Sequence, residues 1–571
     1  MKVQLSFFAR QLPNVAGAFK GTSDPYAVVT QLSTENGKKP TVLGKTEVIK
    51  NTLNPSWTKA FILDFELGKP ININVSVFDE VRKGDNKDMG SAMFEVGAVL
   101  GSKGNTMAKK TRKKGNIYAR VTKVVGSGSL KLKLRGHKLE NTEGFLRKSD
   151  PFYELCRKND DRSWTNVYRS TQVNNNLSPK WSEVEVDLSL LCDGDVNRPI
   201  QIVVYDYEKS GKHVHMGTME TTVATLVEAT GGLHIVRRNR NRGLIFVDKA
   251  EVIKDHRASL ENAMAAATLN DTHQAYHTAN ASGPDFVDYI SGGCELNLCV
   301  AIDFTGSNGD PRKPGTLHYL YPGGTAQNDY EKVILSLGTI LSKYDADQKY
   351  PVWGFGAKYG GVVRHCFQCG HAPEVSGVNG VLNAYHETFR SGLVMSGPTV
   401  FEEVIKTAGG QAVAAQRDAQ QRGGQIYTIL LILSDGSVTD INRTIAALDA
   451  VSDAPLSVII IGIGRADFRG MQFVDDHRSK GKRDIAQFVE FHRHGHSEQM
   501  FTEEALNEVP EQLVGYFTKN GIMPMPPVHR EDDEIAVLPY NEDEEIDLSL
   551  GVDNDEFFVD SGGYTRGSWH E

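Results

Sequence analysis

Apolar and polar residues alternate with a period of two through most of the first 250 residues. Val3, Leu5 and Phe7 share one face of an early run, and Ile71, Ile73, Val75 and Val77 share one face of a later run that leads to Asp79. The same series then returns, with Leu130, Leu132 and Leu134 in its first run and Ile200, Ile202 and Val204 leading to Asp206. Between the runs, GTSDPY (Asp24) and NPSW (Trp57) in the first copy answer to RKSDPF (Asp150) and SPKW (Trp181) in the second. Order and spacing agree to within a residue or two. Alternation of this kind, broken by turn-forming residues, predicts strands with one buried face. The chain therefore opens with two antiparallel β-sandwiches, over residues 1–125 and 128–250.

Residues 251–284 are rich in Ala, Asn, His and Thr without a strong apolar face, and are expected to be a linker. Beyond them the pattern changes to short continuous apolar runs: LNLCVAI before Asp303, YTILLIL before Ser434, and LSVIIIGIG from Leu456. Runs of this length predict parallel strands buried on both faces. Val333, Ile334, Leu337, Ile340 and Leu341 form one face of an intervening helix. Residues 285–525 are thus expected to be an α/β doubly wound, Rossmann-type domain, with its ligands at the carboxyl ends of the strands.

Composition adds a boundary at the C-terminus. The net charge is -9, yet residues 531–560 hold thirteen acids and no Lys or Arg, so the rest of the chain is slightly basic. Residues 526–571 are expected to be a disordered acidic tail, dispensable for folding, because so acidic a segment has little apolar surface to offset its ordering entropy. A chain of this balance is not a bulk nucleic-acid binder. No apolar run reaches the roughly 20 residues that span a bilayer, and neither a leader nor a lipidation signal is read at the ends. Six scattered cysteines read as reduced thiols. A cytoplasmic protein with only peripheral membrane contact is expected. The basic runs KKTRKK (Lys109–Lys114) and RRNRNR (Arg237–Arg242) are either solubilising loops or attractors of anionic headgroups. For KKTRKK a nuclear-localisation reading is weak.

SDPY or SDPF, NPxW or its variant, and a strand ending in FD or YD, in this order and twice over, resemble the C2 domain. The resemblance implies calcium held by carboxylates on loops that converge at one end of each sandwich, because calcium takes six to eight oxygens. The candidate ligands are Asp24, Asp79 and one or both of Asp85 and Asp88 in the first copy, and Asp150, Asp206 and Glu208 in the second. Both copies depart from the family's full set: Ala18, Gly144, Val81 and Val214 stand where the family has Asp. Fewer carboxylates predict weak calcium binding.

In AIDFTGSNGDP, Asp303, Thr305 and Ser307 make a D-x-T-x-S arrangement, with Thr399 in SGPT and Asp435 in ILSDG at later strand ends. This resembles the metal-ion-dependent adhesion site of von Willebrand A-type domains. It implies Mg²⁺ or Mn²⁺ touched directly by two hydroxyls, with the carboxylates binding directly or through water and a position left for a partner's acid. DYISGGCELNLCVAIDFTGSNGDPR, YDADQKYPVWGFGAK, DAPLSVIIIGIGRADF and DIAQFVEF resemble copine sequence. With both sandwiches the likeness covers residues 1 to about 525. It implies a calcium-dependent phospholipid-binding adaptor in membrane trafficking or signalling, recruited to anionic, phosphatidylserine-like membranes such as the plasma membrane when calcium rises. Protein partners would bind through the A-type domain. The alternative is a calcium-independent protein scaffold with degenerate C2 domains.

Other constellations carry less. Cys366 and Cys369, with His365 and His371, lack a second ligand pair for zinc. His492, His494 and His496 read as a solvated loop. No nucleophile elbow, phosphate loop or kinase signature is present, so an enzyme is not expected.

Overall fold

The computed structural model describes residues 1–16, 21–33, 39–57, 59–81, 86–124, 128–143, 147–158, 164–192, 194, 196–208, 213–253, 283–436, 438–476, 480–494, 497–527 and 534–541. Asp85, Ala18, Gly144 and His496, most of the expected linker and most of the acidic tail lie outside these residues.

The alternating runs form two β-sandwiches. In the first, one sheet places Lys2–Arg10 between Phe61–Asp64 and Asn116–Lys123, with Thr106–Lys110 beyond. The facing sheet runs Thr41–Lys45, Pro25–Gln31, Asn72–Asp79, Lys87–Glu95. Val3, Leu5, Phe7, Ile73, Val75 and Val77 are buried, as their period-two placement requires. The second sandwich repeats the plan as one continuous eight-stranded sheet, closed over Leu130, Leu132, Leu134, Ile200, Ile202 and Val204. The duplicated tryptophans have one role. Trp57 Nε1 donates to the Pro25 carbonyl at 3.3 Å and Trp181 Nε1 to that of Pro151 at 3.1 Å. Each thereby fixes the start of the strand that follows its SDP turn.

In the C-terminal domain, Cys294–Asp303 lies between Val352–Phe355 and Gln425–Ser434, with Leu456–Gly462 and Ala486–Glu490 beyond, all parallel. Phe367–Gln368 adds an antiparallel edge. Both faces are covered. Leu298, Val300, Ile302, Leu431 and Ile461 join one core with helices Phe286–Ser291, Asp329–Leu341, Gly377–Thr388 and Val509–Lys519. Cys299, Ala301, Ile432 and Ile460 join another with Glu402–Gln421, Ile441–Val451 and Arg469–Asp476.

The first sandwich and the α/β domain share a single continuous core. Helix Val96–Gly101 meets the turn at Lys343–Tyr344 so closely that a Cβ on Gly101 would overlap the Lys343 carbonyl oxygen. Around this contact Lys343 pairs with Glu95 at 3.0 Å, Lys123 with Asp288 at 2.6 Å and Asp285 at 3.2 Å, and Thr502 Oγ1 donates to the Gly68 carbonyl at 2.6 Å. The second sandwich has a core of its own.

The structure departs from the expected disordered tail at residues 534–541. Val537–Leu538 pairs in parallel with Ala108 and Lys109 at the edge of the first sandwich, and Ile535 is buried with Phe8, Ala108 and Tyr118. Composition averaged over the acidic segment hides this short apolar stretch, IAVL, and the open sheet edge that receives it.

Candidate functional site

The parallel strand order fixes where ligands meet this domain. The chain leaves the central strand for Val352–Phe355 on one side, then crosses back to Gln425–Ser434 on the other. A crevice opens at such a switch point, beyond the carboxyl ends of the two central strands. Asp303 and Asp435 stand there. Asp303 is fully buried, and its Oδ1 accepts the Thr305 amide at 2.8 Å while Oδ2 accepts Ser434 Oγ at 2.6 Å. Thr305 Oγ1 lies 3.0 Å from Ser307 Oγ and 3.5 Å from Asp435 Oδ1. Four of the five expected residues are therefore gathered. Thr399 is in the bordering loop, which runs beside Thr305–Ser307 through the Gly306 amide on the Ser396 carbonyl, 2.7 Å. Thr399 itself enters the network by its carbonyl, which accepts the Thr439 amide at 3.0 Å.

Burial, and then the neighbouring Asp435, push the Asp303 carboxyl up to about 7 against the hydrogen bonds from Ser434 and Thr305. Burial likewise raises Asp435, against bonds from Ser307 and Thr305. Two sequestered acids with converging hydroxyls and no cation among the described residues call for positive charge. The donor set, oxygen only, fits Mg²⁺ or Mn²⁺. Such an ion would relieve the repulsion between the carboxylates.

Three supporting residues carry no signal in the sequence pattern. Ser434 is the last residue of a buried strand. Asn308 Nδ2 donates to Thr305 Oγ1 at 3.3 Å and its Oδ1 accepts Tyr330 Oη at 2.6 Å. His318 is fully buried, and burial depresses its pKa to about 3. Its ring is neutral, so Nε2–H donates to the Asp303 carbonyl and Nδ1 accepts Tyr385 Oη, each at 2.8 Å. A lone His in LHYL has no spacing partner that would mark it.

The sandwich loops are less completely gathered. In each copy the strand-end acid accepts the amide of the SDP aspartate: Asp24 N to Asp79 Oδ1, 2.6 Å, and Asp150 N to Asp206 Oδ1, 2.7 Å. The first copy has an ammonium at its pair, because Lys50 lies 3.2 Å from Asp24 Oδ2 and also bonds Glu80. Burial works against the Lys50 charge, but Glu80 and Asp24 outweigh it and raise its pKa. Asp88 is not brought to this pair. It lies in strand Lys87–Glu95 opposite Phe78, and binds Lys113 at 2.6 Å. In the second copy Thr142 Oγ1 donates to Asp206 Oδ2, and the Glu208 amide donates to His213 Nδ1 at 3.0 Å. No cation pairs with Asp150 among the described residues. The second set thus fits calcium better than the first. Among the described residues no three His, Cys, Asp or Glu side chains already form a metal-holding group, and no helix is long and apolar enough to cross a membrane.

Comparison with known proteins follows the same division. The C2 domain model matches residues 6–111 and 129–237, and the copine model matches 316–525. Copine-B of Dictyostelium discoideum is 32% identical over 547 residues, 92% of this chain and 97% of its own length. Copine-E of the same organism is 31% identical over 543 residues, 92% and 88%. Among solved structures, BON1-C2B is 25% identical over 22% of this chain and 94% of its own, with a TM-score of 0.20. Two C2 sandwiches ahead of an α/β domain, matched almost end to end by these relatives, place the chain in the copine family.

Proposed function

We propose that this copine is a peripheral membrane adaptor rather than an enzyme: its C2 domains bind anionic phospholipid in response to calcium, and its α/β domain, of von Willebrand A type, holds a protein partner through Mg²⁺ or Mn²⁺. The observation that carries the second half is the buried Asp303–Asp435 pair joined through Thr305 and Ser307 at the switch point. An open coordination position there would accept a partner's carboxylate. The duplicated acid pairs at the SDP turns support the first half. The compartment in this reading is the cytoplasm, with recruitment to membranes as calcium rises. Pelleting of the full chain with phosphatidylserine vesicles, in calcium and in chelator, tests it, and binding indifferent to chelator would favour the rival reading of a calcium-independent scaffold. Lys50 on Asp24 and Lys113 on Asp88 favour that rival for the first C2 domain alone.

A further inference from the structure

The two sandwiches differ at one sheet edge. In the second copy, strand Leu233–Arg237 pairs with Val214–Thr222, so its two sheets run on as one. The corresponding strand of the first copy, Thr106–Lys110, pairs with Asn116–Lys123 on one side, and its other side is taken by Val537–Leu538. Val537 stands opposite Ala108 and Leu538 opposite Lys109, in parallel. The chain therefore runs towards the turn Thr111–Gly115. Pro539 has no N–H with which to extend the ladder, yet the chain stays close. Pro539, Tyr540 and Asn541 line a narrow cleft with Met93, Lys109 and Lys110. The sequence then continues Glu542, Asp543, Glu544, Glu545, Ile546 and Asp547, five acids in six residues, which lie outside the described residues.

The turn to which those acids are delivered is basic. Lys110, Arg112, Lys113 and Lys114 are exposed. Asp88 matches Lys113 at 2.6 Å, whereas Lys110 and Lys114 meet no carboxylate among the described residues. Lys87, beside Asp88, stands opposite Asp79 in the ladder, so the turn lies at the end of the sandwich that carries the Asp24–Asp79 pair. We propose that residues 542–547 are the resident occupant of this turn: their carboxylates pair with Lys110 and Lys114 and withhold the basic run Lys109–Lys114 from anionic surfaces. Each such exposed pair is weak. The strand at Val537 holds the acids only a few residues away, and this tethering gives them a high effective concentration at the turn. Exposed pairs are also screened, so the cover loosens as salt rises. The inference rests on the membrane-binding reading and adds to it a competitor carried by the chain itself, which anionic lipid must displace.

Two measurements on the full chain test this. The parent is compared with Glu542→Gln/Asp543→Asn/Glu544→Gln/Glu545→Gln, with Lys110→Gln/Lys114→Gln, and with the two sets combined. A zero-length carbodiimide, which joins a lysine to a carboxylate in contact with it, should link Lys110 or Lys114 to an acid of 542–547 within one chain, and high salt should abolish the link. In calcium, the variant with the acids removed should bind phosphatidylserine vesicles about tenfold or more tightly than the parent, as two lysines are released to the headgroups. The combined variant should lose that gain. Absence of the link, or vesicle binding unchanged by removal of the acids, overturns the cover and leaves the adaptor reading standing. A gain that persists in the combined variant also overturns it, because it would come from net charge alone. A link found only between two chains assigns the acids to a second copy and overturns the intrachain occupant. If neither parent nor variants bind vesicles in any condition, the adaptor reading fails and the link alone decides the contact.

Discussion

Val537, near the start of the acidic segment, pairs in parallel with Ala108 of the first sandwich. With Ile535 buried against Phe8 and Tyr118, the pairing covers a sheet edge that would otherwise be open to other strands. Truncation after Pro527 is therefore expected to lower the melting temperature by about 2–4 °C, corresponding to roughly 1 kcal/mol. Ile535→Asp should have the same effect in the full chain. Melting curves that superimpose with that of the parent would show that the strand adds nothing to stability.

The acids at the switch point give a metal-dependent stability. Magnesium that binds only the folded chain should raise its melting temperature, by an amount equivalent to about 2.7 kcal/mol at a hundredfold excess over Kd. Asp303→Asn keeps the acceptor for the Thr305 amide but removes a charge. It should be at least as stable as the parent in chelator, respond little to magnesium, and lose magnesium-dependent partner binding. A variant with the parent's magnesium response would refute the assigned site.

Calcium should act through both sandwiches. Asp79→Asn with Asp206→Asn keeps the acceptors for the Asp24 and Asp150 amides and removes one carboxylate from each pair. The double variant should lose calcium-dependent pelleting, with the parent's midpoint near 10⁻⁵ to 10⁻⁴ M by its ligand count. The Asp206 change should do more than the Asp79 change, since Lys50 already sits at the first pair. Equal loss from each single change would place the two sites on the same footing.

Asp345 gives a pH test away from any metal. Its side chain is 4% exposed, Oδ1 accepts the Gln348 amide at 3.2 Å, and Oδ2 has no partner among the described residues. Burial, with Asp347 and Glu295 nearby, pushes it up to about 7. The unfolded carboxyl titrates near 3.9. Between about pH 4 and pH 7 the folded chain holds a proton that the unfolded chain has released, so this residue's contribution to stability falls as pH rises through that window. Asp345→Asn should match the parent near pH 4 and exceed it at pH 8 by on the order of 4 kcal/mol, about three pH units at roughly 1.36 kcal/mol each. Urea unfolding at the two pH values checks this, and a gap that does not widen with pH contradicts it.

Much of this was legible in the sequence because burial leaves a periodic trace. Leu130, Leu132 and Leu134 announce a strand wherever they occur, and continuous runs such as LSVIIIGIG announce strands covered on both faces. Asp303, Thr305, Ser307 and Asp435 were legible because strand ends are where a doubly wound sheet presents its chemistry. His318, Asn308 and Ser434 were not, since each is defined by a neighbour distant in the chain. Asp88 shows a further limit: its position in the sequence places it near Asp79, while the ladder places it opposite Phe78 and within reach of Lys113. The strand at Val537 escaped because its partner edge exists only once the first sandwich has folded.

Lys123 closes the first sandwich and pairs with Asp288 and Asp285 at the start of the α/β domain. The chain thus departs from and returns to one shared body at nearly the same point. Everything between, the second sandwich included, is topologically an insert, a loop with its ends pinned side by side. Such an insert can be excised or exchanged without pulling on its host, and it cannot drift beyond the reach of its two connectors. On the proposed membrane-binding reading, capture of a membrane by the first sandwich would hold the second at a high effective concentration near it.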